Sequence, residues 1–121
     1  MSSIETQKKL IALINSLITK AYNCLFKTDA IQASHDNLIT SASTYLKSAY
    51  EVVYFFDTAV KEYIKTHKND QIVKSIKEKL EKLSTVKPEE TRFRNINQIE
   101  INRKLEKVRR NARSLLRKLF G

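Results

Sequence analysis

A row of mostly apolar residues runs through the middle of the chain in alternating steps of four and three. Such spacing places side chains on one face of an α-helix. The row comprises Ile31, His35, Leu38, Ala42, Tyr45, Ala49, Val52, Phe56, Ala59 and Tyr63, with Ile39, Leu46, Val53 and Val60 beside it. No Gly or Pro interrupts the segment, so it predicts one helix from about residue 30 to 66, roughly 55 Å long. Ser34-His35-Asp36-Asn37 favours caps and could instead separate a short first piece.

Three further segments show helical periodicity. The first runs from about residue 3 to 27, with Ser2 and Glu5 at capping-box spacing. Asp29 is the predicted cap of the helix after it, and Pro88 suits a loop or the first turn of a helix. The other two segments cover about 71–84 and about 98–119, the last one following a predicted cap at Asn97. Its apolar row comprises Ile101, Leu105, Val108, Ala112, Leu115 and Leu119.

The composition supports this fold class, because a single Gly and a single Pro are too few for a protein built on β-turns. We therefore predict an all-α fold: one domain over residues 1–121, forming a small bundle of about four helices with one long central helix. The middle of that helix is apolar on more than one face. This excess of apolar surface predicts self-association as a homo-oligomer. The predicted interface residues are Tyr50, Val53, Tyr54, Phe55 and Phe56.

The sequence lacks the spacings that catalytic and metal sites require. His35 and His67 lie 32 residues apart, and Cys24 is the only Cys. No Glu-x-x-His or His-Glu-x-x-His motif is present, so we predict no catalytic residues, no metal and no cofactor. No apolar run approaches the roughly 20 residues that span a bilayer, and the N-terminus does not resemble a secretory signal. We therefore expect an intracellular, cytoplasmic protein.

Positive charge is concentrated at the C-terminal end. Residues 1–91 contain 13 Lys and 11 acidic residues, a balance of +2, whereas residues 92–121 contain 10 basic and two acidic residues, a balance of +8. All seven Arg lie in this second, Arg-rich segment. The Arg guanidinium is a planar fork of donors suited to phosphate or carboxylate, whereas the Lys ammonium is a hydrated point charge.

Basic residues cover most of the predicted solvent-facing side of the last helix. Opposite its apolar row lie Arg103, Lys107, Arg110 and Arg117, with Ser114 in the gap, while Lys104 and Lys118 flank one side and Arg109 and Arg113 the other. Repulsion between like charges three and four residues apart makes this arrangement unfavourable unless an anionic partner relieves it. Phosphate backbones are a common partner of such surfaces. We therefore predict a non-enzymatic nucleic-acid-binding protein, or an accessory protein of a nucleoprotein complex, that contacts the backbone of DNA or RNA. The predicted contact residues are Arg103, Lys107, Arg109, Arg110, Arg113, Arg117 and Lys118.

Other interpretations remain open, including a solvated face that has no partner and serves solubility. An acidic protein surface could satisfy the same cations. A membrane surface is the least favoured partner, although bulky apolar residues lie beside cations over residues 115–120. A different class of function would be a protein–protein adaptor that uses the apolar faces of the long second helix.

Overall fold

A computed structural model describes residues 3–28 and 34–121, and this part of the chain is all-α. It contains α1 (Ile4–Phe26), α2 (His35–Phe55), α3 (Asp57–Thr66), α4 (Gln71–Ser84), a 3₁₀ turn (Pro88–Glu90) and α5 (Gln98–Phe120). Together these elements make up 82% of the described residues, which contain no strand. None of the described helices has the length and apolar character needed to cross a membrane.

Short polar side chains set the helix starts. Ser3 Oγ accepts from the Thr6 amide at 3.2 Å, so Ser3 caps α1; the predicted cap, Ser2, lies outside the described residues. Asp70 caps α4 in the same way, and Asn97 caps α5 by accepting from two amides, as the sequence predicts. Pro88 begins the 3₁₀ turn, in agreement with its preference for a first turn.

The prediction of one long second helix is wrong, because the helical conformation is interrupted at Phe56. This residue has φ −119° and ψ 35°, and it separates α2 from α3. Four aromatic or β-branched residues precede it, and such side chains lose rotamer freedom in a helix. Val53 and Val60 are fully buried on either side of the break. At the other end, Ser34 caps α2, whereas the predicted cap Asp29 and the row member Ile31 lie outside the described residues.

One continuous core holds the described helices together. The contacts between α2 and α5 pair residues in ascending order, Asp36 with Lys104 and Ser43 with Asn111, so these two helices run parallel. Contacts between α4 and α5 run in the opposite order, since Lys77 lies over Phe120 and Ser84 accepts from Arg113. The α5 helix therefore lies between α2 and α4, with a third side facing solvent.

Candidate functional site

The apolar row of α5 fixes which of its side chains reach solvent. Ile101, Leu105, Val108, Ala112, Leu115 and Leu119 are all buried, as their spacing predicts. At about 100° per residue, the opposite side of the helix is then determined. The cations of α5 divide into two sets on this geometry: one points away from the bundle, and the other lies against the neighbouring helices.

Four cations form what we call the outward row: Arg103, Lys107, Arg110 and Arg117. All four are exposed. In residues 3–28 and 34–121, no acidic side chain forms an ion pair with any of them. The row spans 14 residue steps, about 21 Å at 1.5 Å per residue, and Ser114 fills its one gap. The outward row is therefore a strip of positive charge without ion pairs in the described residues. Arg103 still lies near enough to Asp36 to contribute to the lowered pKa of that carboxyl, after the larger effect of Lys104.

On the side that faces α4, a single acid satisfies two Arg. Glu106 accepts from Arg109 at 3.2 Å and from Arg113 at 3.1 Å. The bond from Arg109 is the main reason that the pKa of Glu106 is lowered. Arg109 also donates to the Val86 carbonyl at 2.8 Å, and its side chain is only 14% exposed. Arg109, one of the predicted contact residues, thus uses its guanidinium for bonds within the bundle.

Arg113 is less enclosed than Arg109. Its guanidinium donates to the Ser84 carbonyl at 3.1 Å as well as to Glu106. The side chain keeps 44% of its surface exposed. The structure therefore places Arg113 at the edge of the outward row, with part of its donor fork already in use.

On the side that faces α2, Lys104 and Lys118 are paired. The Lys104 ammonium contacts Asp36 and also lies 2.8 Å from Glu100. These bonds, the one to Asp36 first, raise the pKa of Lys104 and lower the pKa of both carboxyls. Lys118 lies 3.9 Å from Asp57 and over the Tyr54 ring. Neither cation belongs to the outward row.

A polar groove runs between α2 and α5 next to the outward row. The Asn111 side chain crosses its floor, donating to Ser43 Oγ at 3.0 Å. Two adjoining hollows open on the groove, about 330 Å³ and about 280 Å³ in volume, and Lys107 lines both of them. Lys47 and Tyr50 of α2 line the smaller one. The smaller hollow thus adds a second Lys, hydroxyl groups and an aromatic ring to the positive strip, whereas the Asp36 carboxylate and its Lys104 partner line the larger one.

The residues predicted as an oligomer interface separate into three environments. Tyr54, Phe55 and Phe56 are 63%, 75% and 50% exposed and form what we call the aromatic cluster, at the junction of α2 and α3. Tyr54 and Phe55 meet edge to face. Val53, by contrast, is fully buried in the core of its own chain, in register with the buried Leu46 of the same helix. Tyr50 is half-buried and lines the groove.

The two His side chains, the carboxylates near His35 and the Cys24 thiol all have close neighbours in the bundle. His35, Asp36 and Glu100 lie close enough to share a cation, but the Lys104 ammonium already contacts both carboxylates. His67 stacks on Tyr63 at a centroid distance of 4.0 Å. Cys24 packs against the core, and burial raises the pKa of its thiol, which keeps it protonated.

Comparisons with known proteins identify no relative. No family model matches the chain, and neither the curated proteins nor the solved structures provide a match. The site is therefore interpreted from its own geometry.

The groove is the part of the site that sequence reasoning missed. Thr40, Ser43, Lys47 and Tyr50 follow one another on α2 in steps of three and four, parallel to its apolar row. That polar row was visible in the sequence, but nothing in the sequence showed that it faces α5. The partner became apparent only from the parallel packing of two helices that are separated by α3 and α4.

Proposed function

We propose that the chain binds the phosphate backbone of nucleic acid through the outward row of α5, without catalysing a reaction. The supporting observation is the division of the α5 cations. Among the described residues, Lys104, Arg109, Arg113 and Lys118 form ion pairs with acids, whereas Arg103, Lys107, Arg110 and Arg117 form none. The second set therefore remains available to an anionic partner outside the bundle.

The dimensions of the outward row suit a phosphate backbone. Neighbours in the row lie three or four residues apart and repel one another, apart from the seven-residue step across Ser114. A partner with regularly spaced negative charges relieves this repulsion along the whole row. At about 3.4 Å per phosphate along one strand of a duplex, a row of roughly 21 Å spans about six phosphates. Three of the four cations are Arg, whose fork matches phosphate oxygens.

Binding of labelled random-sequence oligonucleotides of about 20 nucleotides tests this proposal. The double substitution Arg110→Ala with Arg117→Ala should weaken binding about tenfold or more, since each lost contact removes a charge-assisted hydrogen bond. Lys65→Ala with Lys74→Ala is the matched control, because it removes two exposed cations from other helices. Equal losses in the two double variants would show that only net charge matters.

The same assay separates the alternative partners. Polyaspartate and vesicles containing anionic lipid should compete with the oligonucleotide only weakly, because neither presents phosphates at the spacing of a nucleic-acid strand. Competition by polyaspartate at the same charge concentration would favour an acidic protein partner instead. Competition by vesicles alone would favour a membrane surface.

We also infer that the chain self-associates through the aromatic cluster. Three adjacent exposed aromatic side chains are an unusual patch for a monomer, and burying them against a second copy would remove them from water. Less apolar surface of α2 is exposed for a protein–protein adaptor than the sequence predicted. The apolar row of α2 is occupied by the chain's own core from Leu38 to Val53.

A further inference from the structure

The smaller hollow of the α2–α5 groove combines cationic groups with an aromatic ring. Its lining residues are Lys47, Tyr50, Lys107, Asn111 and Ser114. Two carry ammonium groups, two carry neutral hydrogen-bonding groups, and one carries an aromatic ring. No carboxylate from residues 3–28 or 34–121 lines this hollow. A negatively charged occupant with a flat ring could pair with the ammonium groups, stack on the aromatic ring and form hydrogen bonds with the neutral polar groups.

The position of the Tyr50 ring suits a stacking platform. Tyr50 is half-buried and packs against the core, so the loss of side-chain freedom on binding is small. The hollow has a volume of about 280 Å³, close to the lower end of the range for small-molecule pockets, about 300 Å³. That space suits a single nucleotide unit.

Lys107 connects the hollow to the proposed backbone contact. It belongs to the outward row and also lines both hollows of the groove. Ser114 lines the smaller hollow and lies in the gap of the row between Arg110 and Arg117. A strand whose phosphates follow the outward row therefore passes the mouth of the smaller hollow at the middle of its path.

We propose that this hollow receives an unpaired base, stacked on Tyr50 with a neighbouring phosphate between Lys47 and Lys107, so that the preferred ligand is single-stranded nucleic acid. This inference rests on the proposed function and specifies its substrate. A base in a duplex is paired and stacked on both faces, and it enters such a hollow only after being extruded, at a cost in free energy. An unpaired base carries no such cost, and stacking on aromatic rings is a common mode of single-strand binding.

The test compares a single-stranded oligonucleotide of about 20 nucleotides with a duplex of the same length. Tyr50→Leu should weaken single-strand binding about 5- to 100-fold, the range expected from the loss of one base–aromatic stack. Duplex binding, which uses the outward row, should change less than about twofold. Tyr50→Phe keeps the ring and should retain the single-strand affinity of the parent.

Photocrosslinking gives a second readout on the unaltered protein, which covers the case that Tyr50→Leu does not fold. A single strand containing 5-iodouracil should crosslink to the peptide that carries Tyr50, as identified by mass spectrometry. Crosslinks confined to other peptides would overturn the inference, and so would a folded Tyr50→Leu protein that loses single-strand and duplex affinity equally or loses neither. If Arg110→Ala with Arg117→Ala abolishes binding while Tyr50→Leu has no effect, the proposed function stands and the base site does not.

Discussion

The Asn111 amide nitrogen lies 3.0 Å from the Ser43 hydroxyl oxygen and 3.3 Å from the Ser43 carbonyl oxygen. Ser43 is buried on α2 and Asn111 is half-buried on α5, so the two bonds join these parallel helices where they pack together. Their position matters for function, because the same Asn111 lines the hollow assigned to a base. Any change in the spacing of α2 and α5 alters the width of the groove.

Removing this link should destabilise the bundle. Asn111→Ala should lower the free energy of unfolding by about 1–2 kcal/mol, because it leaves the buried Ser43 groups without their partner. Asn102→Ala is a matched control: it makes the same substitution on an exposed side of α5. Urea denaturation of both variants gives the difference. Equal unfolding free energies would mean that the bond contributes nothing.

Acid should weaken the contact between α3 and α4. The Tyr63 hydroxyl donates to Asp70 at 2.8 Å, and this bond is the main reason that the pKa of Asp70 is lowered. The stabilisation is present above the pKa of an unfolded Asp, about 3.9. It is lost as the pH falls through the lower pKa of the folded state.

Asp70→Asn isolates this charge, because Asn also caps helices well. The variant should unfold more easily at neutral pH, and its stability should decline less than that of the parent between about pH 5 and pH 2. Tyr63→Phe should cost about 0.5–1.5 kcal/mol at neutral pH through the loss of the same bond. Urea denaturation across the pH range measures both. Parallel declines for the parent and Asp70→Asn would refute this account.

Glu106 should limit the affinity for nucleic acid. Its carboxylate neutralises part of the field of Arg109 and Arg113, next to the outward row. Glu106→Gln should therefore strengthen oligonucleotide binding about two- to fivefold, the equivalent of one surface ion pair. Glu78→Gln makes the same charge change on the exposed side of α4 and serves as the control. Weaker binding by Glu106→Gln would indicate that Glu106 instead positions Arg113 for contact.

The aromatic cluster should mediate self-association at micromolar concentration. Phe55 is the best position to substitute, because it is 75% exposed and its loss should not disturb the core. Phe55→Glu should yield a 14.1 kDa monomer by light scattering, whereas Ile99→Glu, which changes a strongly exposed apolar side chain outside the cluster, should keep the mass of the parent. A parent protein that is monomeric at every concentration would contradict this prediction. Substitution of Val53 is uninformative, since that residue lies in the core.

The sequence predicted the features that depend on local periodicity and capping. The bounds of α1, α4 and α5 agree with prediction within a residue or two, because each has a clear apolar row. The break at Phe56 was not predictable from periodicity: no Gly or Pro marks it, and the four-three spacing continues across it. The core contains both Val53 and Val60, on either side of the break, so the spacing of the buried residues does not reveal it.

The candidate site was predictable only in outline. The excess of Arg after residue 91 identified α5, and helical periodicity predicted which of its cations lie opposite the core row and which flank that row. The sequence could not show which flanking cations are paired, because their acidic partners come partly from distant positions: Asp36 pairs with Lys104, and Asp57 with Lys118. Tyr50 was predicted to lie in an oligomer interface because its segment is apolar on more than one face of the helix, and only the packing of α2 on α5 places it in the groove.

The salt dependence of oligonucleotide binding tests the proposed function most directly. Each phosphate that a cation neutralises releases counterion, so a plot of log K against log salt should slope by about −3 to −5 for roughly four to six contacts. Arg110→Ala with Arg117→Ala should flatten the slope by about 1.5, the equivalent of two contacts, whereas Lys65→Ala with Lys74→Ala should leave it unchanged. Binding that ignores salt between about 50 and 200 mM, or a folded Arg110→Ala, Arg117→Ala protein with the affinity and slope of the parent, would contradict the account.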